Sequence, residues 1–384
     1  MTMHSSLHWD RGARKLADEI TPEGSRWRDA VLSTQRHLLV PHWWWAEKDG
    51  AKLADGWEDP GLWVRVAYSD TTMVTRLGPL HADHAKPDDR PEWRPTSSAT
   101  HPSLVIKMLR HTRASEGMDI LDVGTASGYS TALLAHRFGD RHVTSVDVDP
   151  YLTDTARSRL ADMGRTPEIV HADATEDLPG TYDRIVAMVA MPRIPASWLA
   201  ALRPGGRLVT TLAGTTLIIS AEKRPDGGAS GRVERDWAGF MNARHGPTLP
   251  PRLITAFPHH RDQEGEEVTR GRYPVLDVSA VWEIGSLLTL EVPGIETHYE
   301  ENHDGRRTAW LLHPDGSWAR ATADGSDAPQ VHQAGPLRLW STLESIRDEV
   351  NTHGVLPLFG ANVDVTPDGV CHLSYGRWSA TVGA

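Results

Sequence analysis

This chain has one cysteine, Cys371, which excludes an internal disulfide framework and fits a reducing compartment. No apolar run approaches a bilayer span, and the N-terminus MTMHSSLHWDRG lacks the basic and hydrophobic regions of a signal peptide. Basic charge is in deficit, with 40 Lys and Arg against 51 Asp and Glu and a formal net charge of -11. That balance disfavours nucleic acid or an anionic membrane as the main partner. The 20 histidines show no metal-ligand spacing, and the adjacent His259 and His260 read as solvated. The expectation is a soluble, cytoplasmic protein without a metal site.

What is present is length and tryptophan. At 384 residues and 39% hydrophobic content the chain can bury a large core, as two domains or one elaborated domain. Fifteen tryptophans, among them Trp43 to Trp45, Trp57, Trp63 and Trp93, either fill core between loops or present aromatic surface to a ligand.

In chain order, Trp27, Ala30 and Val31 share a helical face, with Thr21, Pro22 and Glu23 as a capped start. Asp49 to Arg94 reads as an irregular connection of lid or binding-loop type, broken only by a strand-like alternation at Leu62 to Tyr68. His101 to His111 is helical, with Ser98 or Thr100 as its cap. Strands are expected at Ile120 to Val123, His142 to Val148, Glu168 to His171, Tyr182 to Val189 and Arg207 to Leu212. Helices at Ser130 to Phe138, Pro150 to Met163 and Pro195 to Leu202 separate them. Thr215 to Lys223 pairs antiparallel with the last strand. This alternation is that of a Rossmann-like, doubly wound α/β sheet.

The chemistry sits at the strand ends. Gly124 permits a tight turn, and Thr125, Ala126, Ser127 and Gly128 let backbone amides approach a ligand at the next helix N-terminus. Asp147, closing the second strand beside Val148, is placed to accept from ribose hydroxyls. Asp173, followed by Ala174, is placed to take an exocyclic adenine amine. A dinucleotide site calls for G-x-G-x-x-G, whereas this loop reads G-T-A-S-G and is preceded by Asp122 within the strand.

These residues resemble class I S-adenosylmethionine-dependent methyltransferases. The resemblance implies that cofactor, with Asp122 near its methionine part, Asp147 near the ribose and Asp173 near the adenine. Ala126 stands where a glycine is usual. RWRDAVLSTQRHLLVP (Arg26 to Pro41), AYSD at Ala67 and PTSSATHPSLVIKML (Pro95 to Leu109) narrow the likeness. With DVGTASGY and LRPGGRLV they resemble the protein-L-isoaspartate O-methyltransferases over about residues 26 to 220. In this comparison Pro95, Ser97 and Thr100 depart from the family's pattern, and residues 71 to 94 are longer than its loop. Ser98 matches the active-site serine, which the resemblance implies hydrogen-bonds the accepting carboxylate, with Thr96, Ser97 and His101 beside it. His101 is equally suited to donate to a backbone carbonyl. A carboxylate is ionised at neutral pH, so its methylation needs alignment and water exclusion rather than a general base.

The chain then continues well past the sheet. Residues 1–245 are expected to form the cofactor-binding domain and 246–384 a C-terminal α+β extension for substrate recognition. In the extension, strands are expected at Val275 to Trp282, Leu287 to Val292, Arg307 to Leu312 and Trp318 to Thr322, and a helix at Leu337 to His353. A second hairpin is expected at Val363 to Tyr375, and the two PDG turns suggest a repeated unit. This layout resembles the long-form methyltransferases that accompany ATP-grasp peptide maturases (graspetide systems). That resemblance implies a ribosomally made, ester-crosslinked precursor peptide as substrate, methylated on an aspartate that then closes to an aspartimide. The alternative is general repair of isoaspartyl proteins; a non-catalytic binding protein of the same fold is the third reading.

Overall fold

The computed structural model describes residues 8–47, 50–246, 252–354 and 358–383; residues 1–7, read above for a signal sequence, lie outside them. The chain opens with α1 (Trp9–Ile20), α2 (Arg28–Ser33) and α3 (Arg36–Leu39). Thr21 does not start a helix, because its hydroxyl and its N–H both return to the Ala17 carbonyl and close α1. A small sheet follows, built from β1 (His42–Glu47), β2 (Gly50–Asp55), β3 (Met73–Leu77), β4 (Leu80–His81) and β5 (Pro95–Ala99), with α4 (Pro60–Ala67) between β2 and β3.

The expected irregular connection is therefore a folded sheet, ordered β2-β1-β3-β4 with β5 paired to β3. The strand expected at Leu62 to Tyr68 is largely α4. Asp59 accepts from the Leu62 N–H at 2.9 Å and Pro60 stands in the first turn, so the helix start is capped and its φ preset. Trp63, Val66 and Ala67 bury one helical face. Over so short a run, periods of 2 and 3.6 select nearly the same residues. The Trp63 indole donates to the Val40 carbonyl at 2.8 Å, and a Cβ at Gly56 would come within 2.4 Å of its ring. Trp43, Trp44, Trp63, Trp198 and Trp340 are all fully buried, so the core reading holds for them.

Next come α5 (Pro102–His111), β6 (Ile120–Val123), α6 (Tyr129–Phe138), β7 (Val143–Asp147), α7 (Pro150–Asp162), β8 (Glu168–His171) and β9 (Tyr182–Met191). They are followed by α8 (Ala196–Ala201), β10 (Leu202–Leu212), β11 (Leu217–Lys223) and β12 (Ala229–Trp237). Strands β10, β9, β6, β7 and β8 lie parallel in that order, and β11 pairs antiparallel with β10. All of β6 is buried, and its alternate side chains face different layers. Leu121 and Val123 pack in one core with Ile185, Trp198 and Leu199, while Ile120 packs in the other with Met108, Leu133 and Leu160. Helices thus cover both faces, which makes the sheet doubly wound. Neither Ser98 nor Thr100 caps α5, whose N-cap is His101, with no side-chain cap bond.

The remaining elements are α9 (Phe257–His260), β13 (Glu267–Arg270), α10 (Trp282–Glu291), β14 (Glu296–Glu301), β15 (Arg306–Leu312) and β16 (Trp318–Asp324). The chain closes with β17 (Gln330–Ala334), α11 (Leu339–His353), β18 (Asn362–Val365), β19 (Cys371–Tyr375) and β20 (Trp378–Val382). Three expectations change here. The strands expected at Val275 to Trp282 and Leu287 to Val292 are a short turn of helix at Val278–Ala280 and α10. The two PDG hairpins lie in different sheets and are not a repeat: β15 and β16 belong to the antiparallel sheet β13-β17-β16-β15-β14, while β18 and β19 belong to the central one. Residues 246–384 also do not form a separate module, because β18, β19 and β20 return to pair beyond β12 and lengthen the central sheet to ten strands. Leu288 of α10 and Leu343 of α11 join the same core as Leu121 and Ile185.

The extension docks at the carboxyl end of the parallel strands. Thr289 donates to the Gly214 carbonyl, just past β10, at 2.9 Å. Gly369, at φ +92°, fits under the loop after β9, where a Cβ would lie 2.1 Å from the Ile194 carbonyl oxygen. Among the described residues no helix is long and apolar enough to cross a membrane.

Candidate active site

At the carboxyl ends of β6, β7 and β8 the chain turns three times around one cavity of about 360 Å³. After β6, Gly124 takes φ +92°, and a Cβ there would meet Val189 at 2.9 Å. The Gly124 and Thr125 amides both donate to the Val146 carbonyl, at 2.8 and 3.2 Å. Ala126 is left-handed at φ 44°, and its N–H donates to Asp147 Oδ2 at 2.9 Å. The other oxygen of Asp147 accepts from the Asp149 N–H at 3.0 Å. Each oxygen keeps a lone pair. Burial raises the Asp147 carboxyl above its ordinary pKa against the pull of these two bonds.

Gly124, Thr125, Ser127, Asp147, Val148, Asp173 and Ala174 all line the cavity. Two sequence candidates do not. Gly128, at φ +84°, packs toward Ala156 and Leu160, so its place is in the helix–helix contact rather than at a ligand. Asp122 is wholly buried, and its Oδ2 accepts from Ser130 and Thr131, each at 2.8 Å. Among the described residues its Oδ1 has no partner, and burial pushes its pKa up to about 6. Asp173 is already engaged: Thr175 donates to Oδ1 through its N–H at 2.9 Å and its hydroxyl at 2.7 Å, and His245 Nδ1 stands 3.0 Å from Oδ2. Burial would raise its pKa, but these contacts outweigh it and hold the carboxyl below the usual range.

The opposite wall is β5. Ser98 is buried opposite Val74 in the β3 register, and among the described residues its hydroxyl has no hydrogen-bond partner. Ser97 Oγ accepts from Thr75 at 3.0 Å, which leaves its own proton free. Thr96 differs, since its hydroxyl is committed to the Gly78 carbonyl at 2.7 Å. His101 faces Thr72, with Nδ1 at 3.3 Å from its hydroxyl, and burial lowers its pKa, so the ring is neutral near pH 7.

Two parts of the site were not legible in the sequence. Arg36 is fully buried and donates to the carbonyls of Ala67, Thr71, Ala99 and Thr100 at 2.7 to 3.2 Å, which fixes the end of β5. The second is a strap, residues 238–245, that crosses back over the cavity after β12. Ala190 N–H donates to the Met241 carbonyl at 2.9 Å, and Ala243 N–H to the Ala190 carbonyl at 2.8 Å. Gly239 through Arg244 line the cavity. The strap has no periodicity, and Gly239 is the one breaker that marks it. Among the described residues no tryptophan lines this cavity, and no group of three or more His, Cys, Asp or Glu is placed to hold a metal ion.

Residues 89–236 match the family model for protein-L-isoaspartate(D-aspartate) O-methyltransferase. The chain is 31% identical over 163 residues to the protein-L-isoaspartate O-methyltransferase of Rhodopseudomonas palustris strain BisB5, covering 39% of this chain and 71% of that relative. With the enzyme of the same name from Thermococcus onnurineus it shares 30% over 150 residues, 38% of this chain and 68% of the relative. The chain belongs to the protein-L-isoaspartate O-methyltransferase family. A solved protein-L-isoaspartate O-methyltransferase also aligns at 15% identity and a TM-score of 0.48, over 97% of this chain and 98% of that one.

The protein is thus an S-adenosylmethionine-dependent carboxyl O-methyltransferase. The site of this methyltransferase suits that cofactor. The buried Asp147 carboxylate has lone pairs left for hydroxyls, the Gly124 turn leaves no room for a side chain, and the cavity lies within the range of about 300–1,000 Å³ usual for small-molecule sites.

Proposed function

We propose that this methyltransferase acts on the α-carboxylate of L-isoaspartyl residues in peptides and proteins. The observation that carries this reading is the single cavity shared by the Gly124–Ser127 loop, Asp147 and the unpartnered hydroxyl of Ser98. When bound, S-adenosylmethionine supplies an electrophilic methyl group on a sulfonium. In this reading Asp147 and Asp173 hold the adenosine, and Ser98 and Ser97 donate hydrogen bonds to the accepting carboxylate without removing its charge. Arg36 keeps the Ser98 strand in place, and the apolar side chains of Val74, Met188 and Val189 exclude water. The neutral His101, already held by Thr72, is not needed as a base for an acceptor that is ionised at neutral pH.

A second reading is methylation of an aspartate side chain in a ribosomally made, ester-crosslinked peptide. The neighbouring backbone nitrogen then attacks the methyl ester, methanol leaves and an aspartimide forms. The docking of the extension at Gly214 and Ile194, on the sheet edge that carries the cavity, favours it.

Mass spectrometry after incubation with S-adenosylmethionine separates the two. The first reading expects methyl gain on any isoaspartyl peptide and none on its aspartyl isomer. Methyl gain and then net loss of water on a crosslinked precursor, with isoaspartyl peptides untouched, would replace it with the second.

A further inference from the structure

We propose that Arg244, on the strap, recognises the carboxylate of the acceptor as it enters the site. This deepens the reading that the acceptor is a peptide carboxylate and rests on it. Among the described residues that line the cavity, Arg244 is the only lysine or arginine, against the two carboxylates Asp147 and Asp173. An anionic acceptor therefore meets a wall of its own sign unless a cation faces it.

The placement of the guanidinium fits that task. Nη2 donates to the Thr96 carbonyl at 3.3 Å, which sets the group on the acceptor strand two residues from Ser98. Nη1 is buried and has no hydrogen-bond partner among the described residues. Among the described residues no carboxylate lies within ion-pair distance of Arg244, although its charge works weakly against the burial that raises the Asp147 pKa. A buried donor without a partner is rare in a folded protein, because its desolvation goes uncompensated. A ligand that supplies an acceptor oxygen completes it.

The polarity of the contact matters as well. One guanidinium edge is taken by Thr96, so the free Nη1 edge is suited to one oxygen of a carboxylate rather than to a bidentate clasp. The second oxygen stays available to the Ser98 hydroxyl and to the methyl group. The strap also brings His245 to Asp173, so one segment touches both the nucleoside wall and the acceptor wall.

The test compares the full-length wild type with Arg244→Gln and Arg244→Lys in steady-state methyl transfer to an isoaspartyl peptide. A lost charge-assisted bond predicts a peptide KM raised roughly tenfold or more in the glutamine variant. The KM for S-adenosylmethionine should stay within about twofold, and lysine should restore part of the loss. A raised cofactor KM with an unchanged peptide KM would assign the guanidinium to the cofactor and overturn the proposal. If the wild type turns over no isoaspartyl peptide, the substrate reading fails by itself. Arg244 is then judged by labelling with an arginine-selective dicarbonyl in protein saturated with S-adenosylhomocysteine. Protection by succinate and not by succinamide supports a carboxylate site, and equal labelling in both rejects it.

Discussion

Arg76 Nη1 lies 3.0 Å from Asp149 Oδ2, and His81 Nε2 reaches the same oxygen at 3.0 Å. Arg76 stands on β3 opposite Ser97, while Asp149 caps α7 two residues after Asp147. This buried ion pair ties the acceptor sheet to the nucleoside-binding edge of the central sheet. Burial alone would raise the Asp149 carboxyl, but His81 and Arg76 outweigh it and hold it below its ordinary range. Asp149→Asn leaves Arg76 without its counter-charge in a dry site, so unfolding stability should fall by about 3–5 kcal/mol. Urea denaturation checks this; a change under about 1 kcal/mol would show that the pair does not hold the two sheets together.

Asp122 makes a pH-dependent prediction. Its pKa in the folded state is raised to about 6, so its burial is unopposed below the unfolded value near 4 and penalised as pH rises through 6. Asp122→Asn should therefore gain stability relative to wild type between about pH 4 and pH 7, by about 3 kcal/mol at most. Paired denaturation curves at the two pH values measure it. A difference independent of pH would mean that Asp122 titrates normally.

Ala126 holds a left-handed φ of 44°, which strains any residue with a Cβ by about 1–2 kcal/mol. Ala126→Gly relieves the strain and keeps the N–H that Asp147 accepts, but it also loosens the unfolded chain. A net gain of up to about 1 kcal/mol in thermal unfolding is expected, with S-adenosylhomocysteine binding retained. A clear loss of S-adenosylhomocysteine binding would place the Ala126 methyl group in a ligand contact.

Ser98→Ala removes the unpartnered hydroxyl of the acceptor wall. A hydrogen bond to a charged group contributes about 1.5–3 kcal/mol, so kcat/KM should fall roughly ten- to a hundredfold. Calorimetric binding of S-adenosylhomocysteine should not change. An unaltered rate would move the acceptor to another part of the cavity.

The central sheet was legible because its signals are local. The fully buried run Ile120–Val123, the Asp149–Pro150 helix start and the Gly124 turn each announce themselves within a few residues. The α4 segment misled because Trp63, Val66 and Ala67 suit a strand face as well as a helix face over one short run, and only the Asp59 cap separates them. Val275–Val292 misled for a different reason. Its apolar residues carry no period, so burial against the central core decided that most of it is helical.

The sequence by itself determined the cofactor fold, since the loop from Gly124 to Ser127, Asp147 and Asp173 stand at or just past the ends of their strands, whereas Ser98, inside β5, is marked only by its resemblance to the family's active-site serine. Tertiary structure alone decided which of those side chains are available. Thr96 is spent on Gly78, Asp122 is sealed behind α6, and Ser98 is left without a partner among the described residues. It also brought Arg36, the Arg244 strap and the returning strands β18 to β20 to the sheet. Hydrogen bonding and burial act through space, and no spacing along the chain encodes which distant carbonyl or apolar face will satisfy them.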